Sequence, residues 1–100
     1  MSWHAGDTDP ALTGQATDAG VAVDLTSALS CMVHIARPDG GTVISRAPTV
    51  TVGTSGAWSL PWQVGELIEG VYSVELEVTW SAGHIQTFGP VSFRVDPQLA

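Results

Sequence analysis

The segment Gly70-Val71-Tyr72-Ser73-Val74-Glu75-Leu76-Glu77-Val78-Thr79-Trp80 alternates without a fault. Tyr72, Val74, Leu76, Val78 and Trp80 fall on one side, and Val71, Ser73, Glu75, Glu77 and Thr79 on the other. Only an extended strand sorts residues this way, because successive side chains leave it on opposite faces. Five large apolar groups on one face require a partner layer, and each contributes roughly 1.5–3 kcal/mol when fully buried. A lone hairpin cannot cover them, so the alternation predicts a layered sheet protein.

The rest of the chain supplies further short strands. Residues 1–10 form a polar stretch around Trp3, expected as a short edge strand or an arm, with Asp7-Thr8-Asp9-Pro10 as a turn. A strand is expected from Leu12 to Thr17, a turn at Asp18-Ala19-Gly20, and a brief strand at Val21-Ala22-Val23. Residues 24–28 and 63–69 each suit a single helical turn. Leu29 to Arg37 alternates, Pro38-Asp39-Gly40-Gly41 turns the chain, and Thr42 to Arg46 returns as its hairpin partner. Thr49-Val50-Thr51-Val52 and Ala57 to Trp62 follow, the latter with Trp58, Leu60 and Trp62 on one face. After the central strand, Ile85 to Phe88 returns, Gly89-Pro90 bends, Val91 to Val95 closes the fold, and residues 96–100 form a tail. About seven strands at roughly ten-residue spacing describe an all-β, antiparallel β-sandwich, with a small β-barrel as the alternative. One hundred residues with no repeat and no linker suit one domain over 1–100.

Charge narrows the partners. Three arginines and no lysine stand against ten carboxylates, a formal net charge of −7. A phosphate backbone is gripped by clustered Lys and Arg, so nucleic acid and anionic membrane surfaces are not expected partners. No apolar run approaches the ~20 residues of a spanning helix. Residues 1–20 lack a basic and an apolar region in series, so no export signal is expected.

No constellation for catalysis stands out. Glu75 and Glu77 share a strand face, as glycosidase carboxylates could, but no apolar neighbours flank them to raise a pKa, and they read as a solvated face. Asp7 and Asp9, with Asp18 or Asp24, lack the spaced loop and terminal bidentate acid that calcium prefers, and read as turn residues. His4, His34 and His84 have no zinc-like spacing. Cys31, the only cysteine, lies in an apolar alternation and reads as a buried thiol. No catalytic residue, metal ligand or cofactor is therefore expected. Four tryptophans need placing: Trp80 belongs to the core, whereas Trp3 with its neighbour His4, Trp58 and Trp62 are the candidate interface residues.

Taken in order, Gly6-Asp7-Thr8 with Pro10 and Leu12, Thr17-Asp18-Ala19-Gly20 before Val23-Asp24-Leu25-Thr26, and the close Gly70 to Trp80 before Gly83 and Gln86-Thr87-Phe88 resemble a family. It is the small immunoglobulin-like domains of tailed-phage virion proteins, which include the N-terminal domain of the baseplate upper protein. Residues 38–62 match it in layout alone. The resemblance implies an immunoglobulin-like sandwich and a non-enzymatic structural part of the virion, assembled in the host cytoplasm. Its implied partners are other virion proteins, in a symmetric homo-oligomeric ring or array at the tail or head-tail region. Capsid decoration is the alternative position. A different class, a carbohydrate-binding or adhesive sandwich stacking Trp3, Trp58 or Trp62 on sugars, is the rival function. Strand edges near the termini are the expected binding element.

Overall fold

The computed structural model describes residues 3–40 and 43–97. Its strands in chain order are β1 (Trp3–His4), β2 (Leu12–Gln15), β3 (Thr17–Asp18), β4 (Val21–Ala22), β5 (Ser30–Ala36), β6 (Val43–Arg46), β7 (Thr49–Val52), β8 (Ala57–Leu60), β9 (Gly70–Ser81) and β10 (His84–Asp96). The described residues are all-β apart from one 3-10 turn at Gly53–Ser55. A five-stranded sheet runs β1-β10-β9-β5-β6, a three-stranded sheet β2-β8-β7, and β3 pairs with β4 alone.

The alternation of β9 becomes the wall of the core. Tyr72, Val74, Leu76 and Val78 are buried, and Trp80 packs against them half-buried. The three-stranded sheet adds Leu12, Trp58 and Leu60, so both sheets contribute to one apolar cluster. β5 faces the same way: Val33 pairs with Leu76 and Ile35 with Val74, and neither is accessible to solvent. At ~3.3 Å per residue β9 alone spans about 40 Å, which sets the long dimension of a molecule 46 × 25 × 24 Å across. Because β5 meets β9 no further than the Ser30–Thr79 pair, the tip of the β9–β10 hairpin runs on past the rest of the sheet.

Several sequence expectations require correction. The strands are not all antiparallel: β1 runs parallel to β10, with Trp3 opposite Val95 and His4 opposite Asp96. The described residues form ten strand segments rather than about seven, three of them only two residues long. The expected strand Leu12 to Thr17 divides at Ala16, a buried residue whose N–H donates to Gly56 O and whose carbonyl accepts from Val23 N, both at 2.9 Å. Past it, β3 and β4 form a tight hairpin with Ala19 at φ 51° and Gly20 at φ 80°. Two consecutive positive φ values are what a two-residue hairpin turn demands.

Neither expected helical turn forms. Asp24 Oδ1 accepts the Thr26 N–H at 2.9 Å and its hydroxyl at 2.6 Å, which diverts the backbone into an Asx-type turn. The loop at 63–69 is held similarly, with Glu66 Oε1 accepting Gln63 N–H at 2.6 Å and Glu66 N–H donating to Gln63 O at 3.1 Å. Finally, the two strands expected on either side of Gly89-Pro90 are one strand, β10, with a register shift between Phe88 and Val91 and a cis bond before Pro90. Residues 1–2 of the expected arm, Gly41 of the expected turn, Thr42 of the expected β6 and residues 98–100 of the expected tail lie outside the described residues.

Candidate interaction surface

Of the four candidate interface residues, three are in the core. Trp3, Trp58 and Trp62 are only 2%, 6% and 5% exposed, and His4 alone is at the surface. The polar stretch around Trp3 concealed its destination. Parallel pairing with β10 places the ring inward, where Nε1 donates to Pro10 O at 2.6 Å and the ring lies 4.9 Å from Phe93 and 5.8 Å from Trp62. Pro61 follows the end of β8, so Trp62 leaves the sheet and joins this aromatic group, edge-on to Tyr72 at 6.2 Å. Tyr72 in turn stacks on Phe93 at 5.2 Å with planes 10° apart. Such pairs are worth ~0.5–1.5 kcal/mol each beyond the area they bury. Trp58 covers Gly14 of the paired strand, where its indole occupies the place of any Cβ.

At the entrance to β9 the hydroxyl of Tyr72 fastens the preceding loop. It donates to Glu66 O at 2.7 Å and accepts Ile68 N–H at 2.8 Å. The same loop is gripped from the other side by Arg46, which pairs with the Glu66 carboxylate and donates from Nη2 to Pro61 O at 2.7 Å.

On the outer face of the five-stranded sheet, Glu75 and Glu77 are half-buried beside β5. Glu77 Oε1 lies 3.8 Å from His34 Nε2, and His34 Nδ1 lies 2.8 Å from Ser45 Oγ. The imidazole thus bridges three neighbouring strands, and its 3.8 Å approach to Glu77 is an ion pair only when the ring is protonated, of the partly solvated kind worth ~0–1 kcal/mol. Asp7 Oδ2 accepts His4 N–H at 2.9 Å, and Asp24 serves Thr26 as described; each is doing turn work. The Thr26 hydroxyl, then its N–H, hold the Asp24 carboxyl below its ordinary pKa. Cys31 is half-buried, and burial raises its pKa, so at neutral pH it is a thiol and a poor nucleophile.

The surface feature missed from the sequence is a flank. β10 is 13 residues long, yet on its outer side only Val95 and Asp96 are paired, to β1. Among the described residues no strand covers its edge from His84 to Arg94. Beside it β2 is the outer strand of the other sheet. Between the two edges opens a cleft of about 100 Å³, lined by Gly14, Thr17, Trp58, Leu76, Phe88 and Val91 among others. Ile85 and Val91 on β10 are 60% and 66% exposed. Residues 82–93 contain no Asp, Glu, Lys or Arg, although the chain as a whole carries −7. That uncharged run was the available signal, hidden because Gly89-Pro90 reads as a break between two short strands. Compared with protein-family models, curated proteins and solved structures, the chain matches none.

Proposed function

We propose that the chain is an immunoglobulin-like sandwich acting as a non-enzymatic structural protein of a tailed-phage virion, docked on the tail or head-tail region through protein–protein contacts. The order of strands together with Tyr72 supports the immunoglobulin-like part of this reading, and the virion part rests on the resemblance of the sequence. Sheets β10-β9-β5-β6 and β2-β8-β7 correspond to the GFCC′ and BED divisions of an immunoglobulin sandwich, and β1 runs beside the last strand. Tyr72 supports the reading further, since a tyrosine at the start of the sixth strand that bonds backbone a few residues upstream is a hallmark of that fold. It does so here through Glu66 O. Gly70, Tyr72 and Trp80, which carry much of the resemblance to phage virion domains, all belong to this one strand.

A module of this kind acts by surface and edge rather than by chemistry. Burial of Trp3, Trp58 and Trp62 counts against the glycan-stacking alternative, which needs those rings exposed. The test is cosedimentation of the purified chain with tailed-phage particles lacking it, separated into tails and heads. Stoichiometric binding to tails supports the proposed position, and binding to heads alone moves the protein to capsid decoration. Binding to neither, with tryptophan fluorescence that responds to a glycan panel, overturns the virion reading.

A further inference from the structure

We infer that two copies of this chain join through their β10 edges, aligned antiparallel about a two-fold axis, to make one continuous sheet. Four observations lead there. First, the edge is long: β10 has 13 residues and its outer side is unpaired from His84 to Arg94 among the described residues. The register shift between Phe88 and Val91 divides this edge into two stretches, each of which presents donors and acceptors open to another strand. The competing edges at β2, β6 and β7 have four residues each.

Second, the edge is chemically matched to itself. Any two copies carry −7 each and repel over most of their surfaces. The run 82–93, without a single Asp, Glu, Lys or Arg, is where close approach sets no like charges opposite one another, a placement that is otherwise destabilising across a strand pair.

Third, the symmetry closes. An antiparallel pairing of one strand with its own copy is isologous, so a single interface satisfies both edges and ends the association at two. The two-fold axis stands perpendicular to the sheet, which keeps inward-facing side chains of both copies on the same side. Phe88 opposes Leu76 and Val91 opposes Val74 in the hairpin, so both belong to the inner face. Pairing therefore brings Phe88 and Val91 of one copy towards those of the other, over the cleft they line. Fourth, Pro90 withholds one N–H from the edge but leaves Ile85–Phe88 and Val91–Phe93 on either side of it able to bond.

This inference does not rest on the virion reading and stands or falls by the mass of the purified chain. Sedimentation of the full chain across a wide concentration range should show reversible dimerisation. Replacing Ile85→Lys together with Thr87→Lys, both exposed and both on the outer face of β10, should weaken it by about tenfold or more by setting like charges across the axis. Val50→Lys on β7 and Val64→Lys in the exposed loop should leave it unchanged. In the dimer, amide exchange should slow along 85–93 relative to dilute monomer. A chain that stays monomeric at every concentration overturns the inference and leaves the edge to a strand of a different protein. So does a dimer abolished by Val50→Lys and indifferent to the β10 pair.

Discussion

Tyr72 is the residue whose removal isolates one interaction most cleanly. Tyr72→Phe keeps the ring stacked on Phe93 but deletes the hydroxyl that accepts Ile68 N–H and donates to Glu66 O. The loss should cost about 1–3 kcal/mol, because part-buried backbone groups then lack a partner. Urea unfolding measures it, and a cost near zero would mean that water replaces the hydroxyl. The face assignment of β9 is tested by neighbours. Leu76, 3% exposed, should lose ~2–5 kcal/mol on truncation to Ala. Glu75→Ala, on the half-buried outer face, should stay within ~0.5 kcal/mol. Equal effects would reverse the two faces. This much was legible in advance, since strict period-two alternation fixes side by position alone. Trp3 was not. Nothing in a polar decapeptide says that its one aromatic pairs beside Val95 at the far end of the chain, and that non-local contact is what turns an expected surface ring into core.

At the scale of elements, the long regular strands were readable and the joints between them were not. β5, β6, β7, β8 and β9 fall where alternation and Gly/Pro punctuation predict them. At each expected helical turn a side chain, Asp24 or Glu66, bonds a backbone N–H as a helix cap does, but the backbone bonds that follow, Ala28 N–H to Leu25 O and Glu66 N–H to Gln63 O, close single turns and no helix. Asp24 makes this testable by pH. Its carboxyl pKa is lowered in the fold, chiefly by the Thr26 hydroxyl and then by the Thr26 N–H. A lowered folded pKa means that the turn's contribution is fully present above the unfolded value, ~3.9. It is lost as pH falls through the folded value below that. The Thr26 amide resonance should therefore titrate with a midpoint below ~3.9, and Asp24→Ala should abolish the transition. A midpoint at or above the ordinary carboxylate value would contradict the hydrogen bonds that define this turn. The β10 edge belongs to the same scale. Its two halves were each visible, but their continuity across Gly89-Pro90 depends on register with β9, which composition does not encode.

For the whole molecule, the sequence announced an all-β chain, and the structure adds how its sheets divide: five strands, three strands and one separate hairpin. That division, with the Tyr72 corner, supports the proposed immunoglobulin-like sandwich, and the long uncovered flank supports the proposed pairing. The −7 charge works in the same direction. In the proposed dimer, the neutral run of β10 is the stretch along which two copies approach without setting like charges against each other. The central claim is that this chain is a fixed part of a phage particle. It is tested most directly by quantitative mass spectrometry of purified particles from the phage or prophage whose genome carries the coding sequence. The account predicts the chain in intact particles at a constant copy number set by the symmetry of the tail or head-tail region. Particles that contain their other structural proteins and lack this chain would contradict it.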